Sequence, residues 1–105
     1  LILILSEVAG MNAENLPVIL MGDFNMTPEN PALDVLKGKM FNARYTAVKT
    51  DDLDSANTWG KSFSKIDYIW YKNFSSCVEY ETLTKSYENR TYISDHFPIK
   101  AKLIF

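Results

Sequence analysis

The chain is poor in the residues that build disulfide and zinc frameworks. Its 105 residues include one cysteine, Cys77, so the sequence excludes an intrachain disulfide and a cysteine metal cluster. Cys77 lies in a strand-like run, and we interpret it as an inert core residue. The cysteine content therefore leaves the redox compartment of the protein open.

An excess of positive charge is also missing. Eleven Lys and Arg residues against thirteen Asp and Glu residues give a formal net charge of -2, and the pI is near 5.3. This balance argues against a broad basic face that tracks nucleic acid. A phosphate-ester substrate stays open, because a bound metal ion can supply positive charge locally.

The chain has no long hydrophobic run either. Residues 1–5 are continuously apolar, but this run is far too short to span a bilayer. It also lacks the basic start and the small-residue cleavage site of a signal peptide. The chain opens without Met inside an apolar element, so we expect residues 1–105 to be a single partial domain, truncated at the amino terminus.

The sequence does contain a mixed order of helices and strands, with enough apolar residues, 47%, for a packed core. Residues 1–11 predict the end of a helix, although residues 1–5 alone would also suit a strand. A second helix is predicted over 31–37, where Asn30-Pro31 supplies a cap and Gly38 a stop. Strands are predicted over residues 17–21, 66–71, 76–83 and 97–105.

Two loop regions are less regular. Residues 41–49 are ambiguous, and residues 86–94 are predicted to form a polar loop. Between them, residues 50–57 contain three acids, which we interpret as parts of a solvated loop. Those acids are Asp51, Asp52 and Asp54.

Polar residues follow the first predicted strand at its carboxyl end. An apolar run reaches Gly22 and is followed by Asp23, Phe24 and Asn25. Side chains alternate along an extended segment, so Asp23 and Asn25 are predicted to point the same way. The carboxyl ends of strands are where open α/β sheets bind ligands. The pair therefore predicts an acid and an amide that share one cavity.

Two further polar groups occupy strand boundaries. Asp67 stands among apolar residues of a predicted strand, and Asp95 and His96 precede the last one. A buried acid must be paired or hydrogen-bonded. We predict that Asp67 accepts a hydrogen bond from His96, the sole histidine, and fixes its tautomer and charge. Asp95 alternates away from His96 and is a candidate metal ligand.

Each of these residues also has a simpler interpretation. Asp23 would cap a turn, Asn25 would be an ordinary turn residue, and Asp95 would cap the preceding loop. Asp67 would pair with Lys65 at the start of its strand. A lone histidine before a strand is more often a surface or core residue than a catalyst. The functional interpretation rests on three clusters that all lie where an α/β sheet places its site.

Three segments together resemble the motifs of the endonuclease/exonuclease/phosphatase superfamily of metal-dependent phosphodiesterases and phosphatases. These segments are Gly22-Asp23-Phe24-Asn25, Lys65-Ile66-Asp67-Tyr68-Ile69 and Ser94-Asp95-His96-Phe97-Pro98. The resemblance runs from about Pro17 to the end and suggests the carboxyl-terminal half of the family domain. It implies an α/β fold of the α+β sandwich type: one mixed β-sheet with helices on one face, half of a four-layer, two-sheet sandwich.

The resemblance also implies a role for each matching residue. Asp23 would orient and deprotonate the attacking water, and Asn25 would hold a phosphate oxygen. His96 would contact the phosphate with Asp67 as its partner, and Asp95 would lie at or beside Mg²⁺ or Mn²⁺. Hard oxygen ligands suit magnesium. In-line attack on phosphorus needs positive charge on the non-bridging oxygens, which a metal ion would supply.

A Thr-aromatic pair, Thr58-Trp59, also matches family members. Trp59 is a candidate wall of the substrate pocket, and a buried core position is the alternative.

The chain departs from the family in length. Family members are roughly twice as long, and their amino-terminal half carries the glutamate that is the principal metal ligand. We therefore expect a divalent-metal-dependent hydrolase of phosphate mono- or diesters whose isolated fragment is inactive. The substrate class stays open between a nucleic acid, an inositol phosphate and a lipid headgroup.

Two alternatives accompany this prediction. In the first, the chain is a non-catalytic phosphate-binding or assembly module. In the second, which the sequence favours less, it is a structural domain without a site. The missing half also predicts an uncovered apolar face, and hence self-association of the fragment.

Overall fold

Strand β3 (Asp67–Lys72) is the central strand of the larger sheet. It pairs antiparallel with β1 (Val18–Asp23) on one side and with β2 (Phe41–Asn42) on the other, so the strand order is β1-β3-β2. Strands β4 (Ser76–Thr82) and β5 (Ile99–Ile104) form a separate antiparallel pair. The structure is a computed structural model that describes residues 1–105.

The predicted combination of helices and strands is confirmed, but the detail of one mixed sheet is not. Every strand pair is antiparallel, and the only parallel contact is an isolated bridge between Lys49 and Glu79. The two sheets contact each other through side chains instead. Strand direction and sheet membership depend on long-range pairing, which alternation along one segment does not reveal.

The helices are short and begin where the sequence predicts. Helix α1 covers Ile2–Met11. A 3₁₀ turn, Pro31–Leu33, runs into helix α2, Asp34–Lys37. The Asn30 side chain accepts a hydrogen bond from the Ala32 N–H at 2.9 Å, which is the predicted cap. The ambiguous segment divides into β2 and a single helical turn, α3 (Ala43–Thr46). No helix has the length and apolar character needed to cross a membrane.

The core is divided between the two faces of the larger sheet. On one face, α2 and β3 bury a cluster consisting of Leu33, Leu36, Met40, Tyr68 and Trp70. On the other face, β3 packs against α3 and β4, in a cluster consisting of Ala43, Ile69, Tyr71, Cys77 and Tyr80. Cys77 is therefore a buried core residue, as predicted. Since β3 contributes to both clusters, its position is fixed from both sides.

Strand β1 is covered on one face only. Val18 and Leu20 pack against the first cluster, whereas Ile19 and Met21 are 50% and 69% exposed. The strand is at an edge of the sheet and presents apolar side chains to solvent. An apolar face of this kind is expected where a further structural layer would pack.

The prediction of a solvated acidic loop is wrong for two of its three acids. Asp51 accepts hydrogen bonds from the backbone N–H and the hydroxyl of Thr82, at 2.7 and 2.9 Å. Asp54 pairs with Lys65 at 3.2 Å, and only Asp52 is largely exposed. The loop folds back onto β4 and the start of β3, so these carboxylates meet donors far away in the sequence.

Candidate functional site

Strand pairing places two carboxylates directly opposite each other. Asp23, the last residue of β1, pairs in register with Asp67, the first residue of β3. Directly opposed residues in an antiparallel pair project on the same face of the sheet, and like charges in that arrangement repel. The register therefore concentrates negative charge at one end of the sheet, where a cation would relieve the repulsion.

His96 lies between the two carboxylates. Its Nδ1 is 2.7 Å from Asp67 Oδ2, a short hydrogen bond, and its Nε2 is 3.6 Å from Asp23 Oδ2. An ionised carboxylate can only accept, so Nδ1 is the donor. The predicted hydrogen bond between Asp67 and His96 is present, and the alternative pairing of Asp67 with Lys65 is not. Asp23, Asp67 and His96 each offer a ligand atom, and these atoms all lie within 4.8 Å of one another.

The environment favours the protonated form of His96. The hydrogen bond to Asp67 raises the pKa of the imidazole, burial opposes this effect, and the charges of Asp67, Asp23 and Asp95 reinforce it. A protonated imidazole keeps Nδ1–H on Asp67 and directs Nε2–H toward Asp23. The separation of 3.6 Å on the Asp23 side is too long for a hydrogen bond. This side of the ring is therefore free to meet another acceptor, such as a phosphate oxygen.

Asn25 does not follow the predicted alternation. Its φ of +54° places it in the left-handed region, so the period of two that applies within β1 ends at Asp23. The backbone N–H of Asn25 donates to Asp23 Oδ1 at 2.8 Å. Asp23 thus caps the turn, as the simpler interpretation held, while its other oxygen faces His96. Asn25 is exposed, and the role of its side chain stays a prediction.

Asp95 and Trp59 lie outside the three-residue cluster. The Asp95 carboxylate is exposed and accepts only a long hydrogen bond, 3.4 Å, from the Ser94 hydroxyl. Its oxygens are therefore free for a hard cation, which is the predicted role. Trp59 is 58% exposed, so the alternative of a buried core tryptophan is wrong. It has a φ of +59°, and residues held in this region often accompany functional sites.

A cavity of about 500 Å³ opens next to the cluster on the apolar face of β1. Its walls combine apolar side chains with the polar groups of the site, and they include Met21, Gly22, Asp67, Ile69, His96 and Phe97. A second cavity of about 200 Å³ borders His96 from the side of residues 83–98. His96 therefore borders both hollows, together with Ser94, Phe97 and Pro98.

Sequence reasoning missed two buried polar residues near this end of the fold. Ser55 is fully buried and contacts the start of β3. Arg44 is 5% exposed and bonds to the loop at Leu53 and to Tyr80. The hydroxyl and the guanidinium find partners 9 to 36 residues away. No local pattern marks such partners, although the three acids after Thr50 were a signal that a cation would be needed nearby.

A family model provides the first comparison with known proteins. Residues 1–96 match the model described as Endonuclease/Exonuclease/phosphatase family. The chain belongs to this family. Its members are phosphoesterase-type hydrolases that generally depend on a divalent metal. Among curated proteins, no match to the chain was found.

Solved structures of the endonuclease/exonuclease/phosphatase family have the same fold. A family protein from Bacteroides thetaiotaomicron is 31% identical with a TM-score of 0.82, and the alignment covers 97% of this chain and 42% of that one. A mannosyl-6-phosphatase from the same species is 29% identical with a TM-score of 0.83, covering 99% and 44%. A family protein from Leptotrichia buccalis is 26% identical with a TM-score of 0.74, covering 96% and 40%. The chain thus spans less than half the length of these structures, as a half domain would.

Proposed function

We propose that this chain carries the water-activating and phosphate-binding part of a divalent-metal-dependent phosphoester hydrolase. The observation that supports the proposal most directly is the placement of His96 between Asp23 and Asp67, with one ring nitrogen engaged and the other facing open space. Catalysis of phosphoryl transfer relies on positioning and on charge stabilisation rather than on covalent chemistry by the protein. The three groups suit both tasks.

Each residue has a separate task in this proposal. Asp23, through the oxygen that faces His96, orients the attacking water and accepts its proton. His96 donates Nε2–H to a non-bridging phosphate oxygen and stabilises the negative charge that develops there. Asp67 keeps the imidazole oriented and protonated through the 2.7 Å hydrogen bond. Asn25 contributes an amide donor to the same phosphate.

The residues of this chain supply only part of a metal site. Asp95 offers carboxylate oxygens that no cation or backbone N–H occupies, and it is the residue that would hold Mg²⁺ or Mn²⁺. When bound, the ion supplies positive charge to the phosphate oxygens. One carboxylate does not complete the coordination that Mg²⁺ requires. The remaining ligands, the family glutamate among them, are proposed to come from a region that pairs with this half.

The partner of the chain is therefore proposed to be the missing amino-terminal half of the domain. The exposed apolar residues of β1 support this proposal, as does the 40–44% coverage of the solved relatives. Without that half, we expect the isolated chain to be inactive and to self-associate through the same face. Sedimentation velocity would give a clean monomer if the second expectation is wrong.

The substrate is proposed to be a phosphate ester, and a monoester is the first to test because one relative is named a phosphatase. Trp59 is proposed to form a wall against the organic part of the substrate, since its ring is exposed in the turn that follows Asn57. Diesters of nucleic acids, inositol phosphates and lipid headgroups are tested in parallel.

The decisive experiment compares variants in the longest gene product that contains this sequence. Hydrolysis of p-nitrophenyl phosphate and of bis-(p-nitrophenyl) phosphate is measured with and without Mg²⁺ for the wild type, Asp23→Asn and His96→Ala. Loss of a general acid or base costs about 10²- to 10⁴-fold in rate. Asp34→Asn is the matched control, because this exposed carboxylate pairs only with Lys37 on α2. Rates of His96→Ala equal to the wild type would remove His96 from the mechanism.

The non-catalytic alternative gives a different result in the same experiment. A phosphate-binding module would bind inorganic phosphate, lose that binding in His96→Ala, and hydrolyse neither ester. This alternative takes its support from the incomplete metal ligation of the chain. Turnover that requires Asp23 would rule it out for the longer protein.

A further inference from the structure

Ser55 bonds to the backbone on both sides of the Asp67–His96 pair. Its hydroxyl oxygen accepts hydrogen bonds from the N–H groups of Ile66 and Asp67, at 3.2 and 3.1 Å. Its backbone carbonyl accepts a hydrogen bond from the N–H of Phe97 at 2.6 Å. The residue has no exposed surface. One buried serine is therefore the shared anchor of two segments that lie 29 residues apart.

The residues after Ser55 extend this connection. Ala56 forms an isolated antiparallel bridge with His96. The N–H groups of Asn57 and Thr58 both donate to the carbonyl of Asp95, at 2.8 and 3.2 Å. Residues 55–58 thus run along the segment that carries Asp95 and His96. Of these contacts, only those of Ser55 also reach Asp67.

We propose that Ser55 is a positioning residue that sets the distance between the Asp67 carboxylate and the His96 imidazole. The pairing of β1 with β3 already fixes Asp67 relative to Asp23, and Phe24 N–H donates to Ile66 O at 2.9 Å just beyond it. His96 precedes β5, which belongs to the other sheet. Something must therefore bind the His96 segment to the start of β3, and Ser55 does so.

Substitution of Ser55 should have different consequences if the residue has a general structural role than if it positions the Asp67–His96 pair. The β1–β3 ladder and the two core clusters do not include Ser55, so its loss leaves most of the fold in place. It removes the acceptor for the Asp67 N–H and loosens the start of β3 against His96. A hydrogen bond of 2.7 Å is sensitive to such a displacement, because its strength falls steeply with distance and angle. Only the catalytic consequence of this inference rests on the proposed function.

The test observes the hydrogen bond itself and needs no turnover. In the 105-residue chain, ¹⁵N-labelled at its single histidine, the Nδ1–H proton of the protonated ring is expected downfield and protected from solvent exchange by Asp67. Ser55→Ala is expected to increase the exchange rate of this proton by roughly 2- to 10-fold, which corresponds to the net contribution of one hydrogen bond. Backbone amide spectra of β1 and β3 report whether the fold is intact.

Three further variants sharpen the result. Ser64→Ala is the matched control, because Ser64 contacts this segment through its backbone only. The Nδ1–H exchange rate in this variant should equal that of the wild type. Ser55→Thr keeps the hydroxyl acceptor and should restore the protection. If Ser55→Ala does not fold, Ser55→Cys takes its place, since sulfur is a weak acceptor of similar shape.

An unchanged Nδ1–H exchange rate in a folded Ser55→Ala or Ser55→Cys chain would overturn the inference. An equal increase in Ser64→Ala would do the same, because the effect would then be general. Neither result depends on catalysis. Failure of the positioning role is therefore distinguishable from failure of the proposed hydrolase activity.

Discussion

Two charged clusters of the fold differ in how completely their polar groups are bonded. The arginine network consists of Arg44, Asp51, Tyr80 and Thr82, and the site cluster consists of Asp23, Asp67 and His96. In the network, Arg44 donates to Leu53 O at 2.8 Å and to the Tyr80 hydroxyl at 3.0 Å. In the site cluster, Asp23 Oδ2 and His96 Nε2 are 3.6 Å apart without a hydrogen bond.

The difference indicates what each cluster does. The arginine network is buried and leaves few polar atoms without a partner, which is what a structural element requires. The site cluster is partly exposed and holds two opposed carboxylates that would be more stable apart. Polar atoms that lack a hydrogen-bond partner, on residues held in place by strand pairing, are suited to bind a ligand. Substitutions should therefore affect stability strongly in the first cluster and weakly in the second.

The largest effect is expected for Arg44→Met. The change removes the cation that lies beside Asp51 and over the Tyr80 ring, and it leaves buried acceptors without their donor. Breaking a buried charged pair from one side costs about 3–5 kcal/mol, measured as the loss of unfolding free energy in urea. Lys37→Met, at an exposed pair with Asp34, is the control and should cost about 0.5 kcal/mol or less. Equal losses would contradict the comparison.

A smaller loss of stability is expected for Asp51→Asn, and only at pH values where the Asp51 carboxylate is ionised. Burial acts to raise the pKa of Asp51, but hydrogen bonds from Thr82 and Leu53 and the charge of Arg44 outweigh it, so the pKa is lowered. A lowered pKa stabilises the fold above the unfolded value of about 3.9, and this stability is lost as pH falls through the folded pKa. At neutral pH we expect a loss of about 1.5–3 kcal/mol.

The pH dependence provides the check on this prediction. Denaturation midpoints of the wild type and Asp51→Asn should converge as the solution is acidified, because the protonated wild type loses the same charge. Midpoints that stay equally far apart in acid would show that the charge of Asp51 does not matter.

In the site cluster, Asp67→Asn should alter the pH dependence more than the stability itself. The raised pKa of His96 means that its stabilising contribution is full below the unfolded value of about 6.5 and is lost as pH rises through the folded pKa. Its size should be about 1 kcal/mol or less, since the pair is partly solvated. Asp67→Asn should flatten this limb and lower the pKa of the imidazole, read from its proton shifts. An unchanged imidazole pKa in Asp67→Asn would exclude Asp67 as the main cause of the raised pKa of His96.

The smallest effect is expected for Asp23→Asn, and its sign is opposite. Asparagine keeps the acceptor for the Asn25 N–H and removes one of two opposed negative charges. We expect a gain of about 0.5 kcal/mol above the pKa of His96, where no imidazolium compensates the repulsion. Urea denaturation at pH 9 would measure it. A loss of stability at that pH would mean that Asp23 is structural.

Local patterns predicted much of the fold because its segments carry their own signals. The apolar run between Pro17 and Gly22 predicts β1, and Asn30-Pro31 predicts the start of the second helix. The alternation of residues 97–105 predicts β5, whose burial does alternate. The meeting of Asp67 and His96 was also predictable, because an acid inside a strand needs a partner and the chain has one histidine.

The remaining features depend on contacts that are distant in sequence. The division into two antiparallel sheets follows from strand pairing between remote segments, and the bonding of Asp51 follows from the return of its loop onto β4. Asn25 was placed by alternation, which its positive φ interrupts. Ser55 and Arg44 have no distinctive neighbours in the sequence. Their importance emerges only when the loop between α3 and β3 is folded.

The cross-strand pairing of Asp23 with Asp67 has a consequence for how proteins of this kind can diverge. Backbone pairing sets the spacing of the two acids, so the parts of the connection that touch neither strand, such as the exposed turn at residues 61–63, do not help to set it. Insertions and deletions in such exposed turns can reshape the surface beside the two acids while the spacing of the acids is inherited unchanged. The surroundings of the pair can then diverge without a stage in which the pair itself is lost.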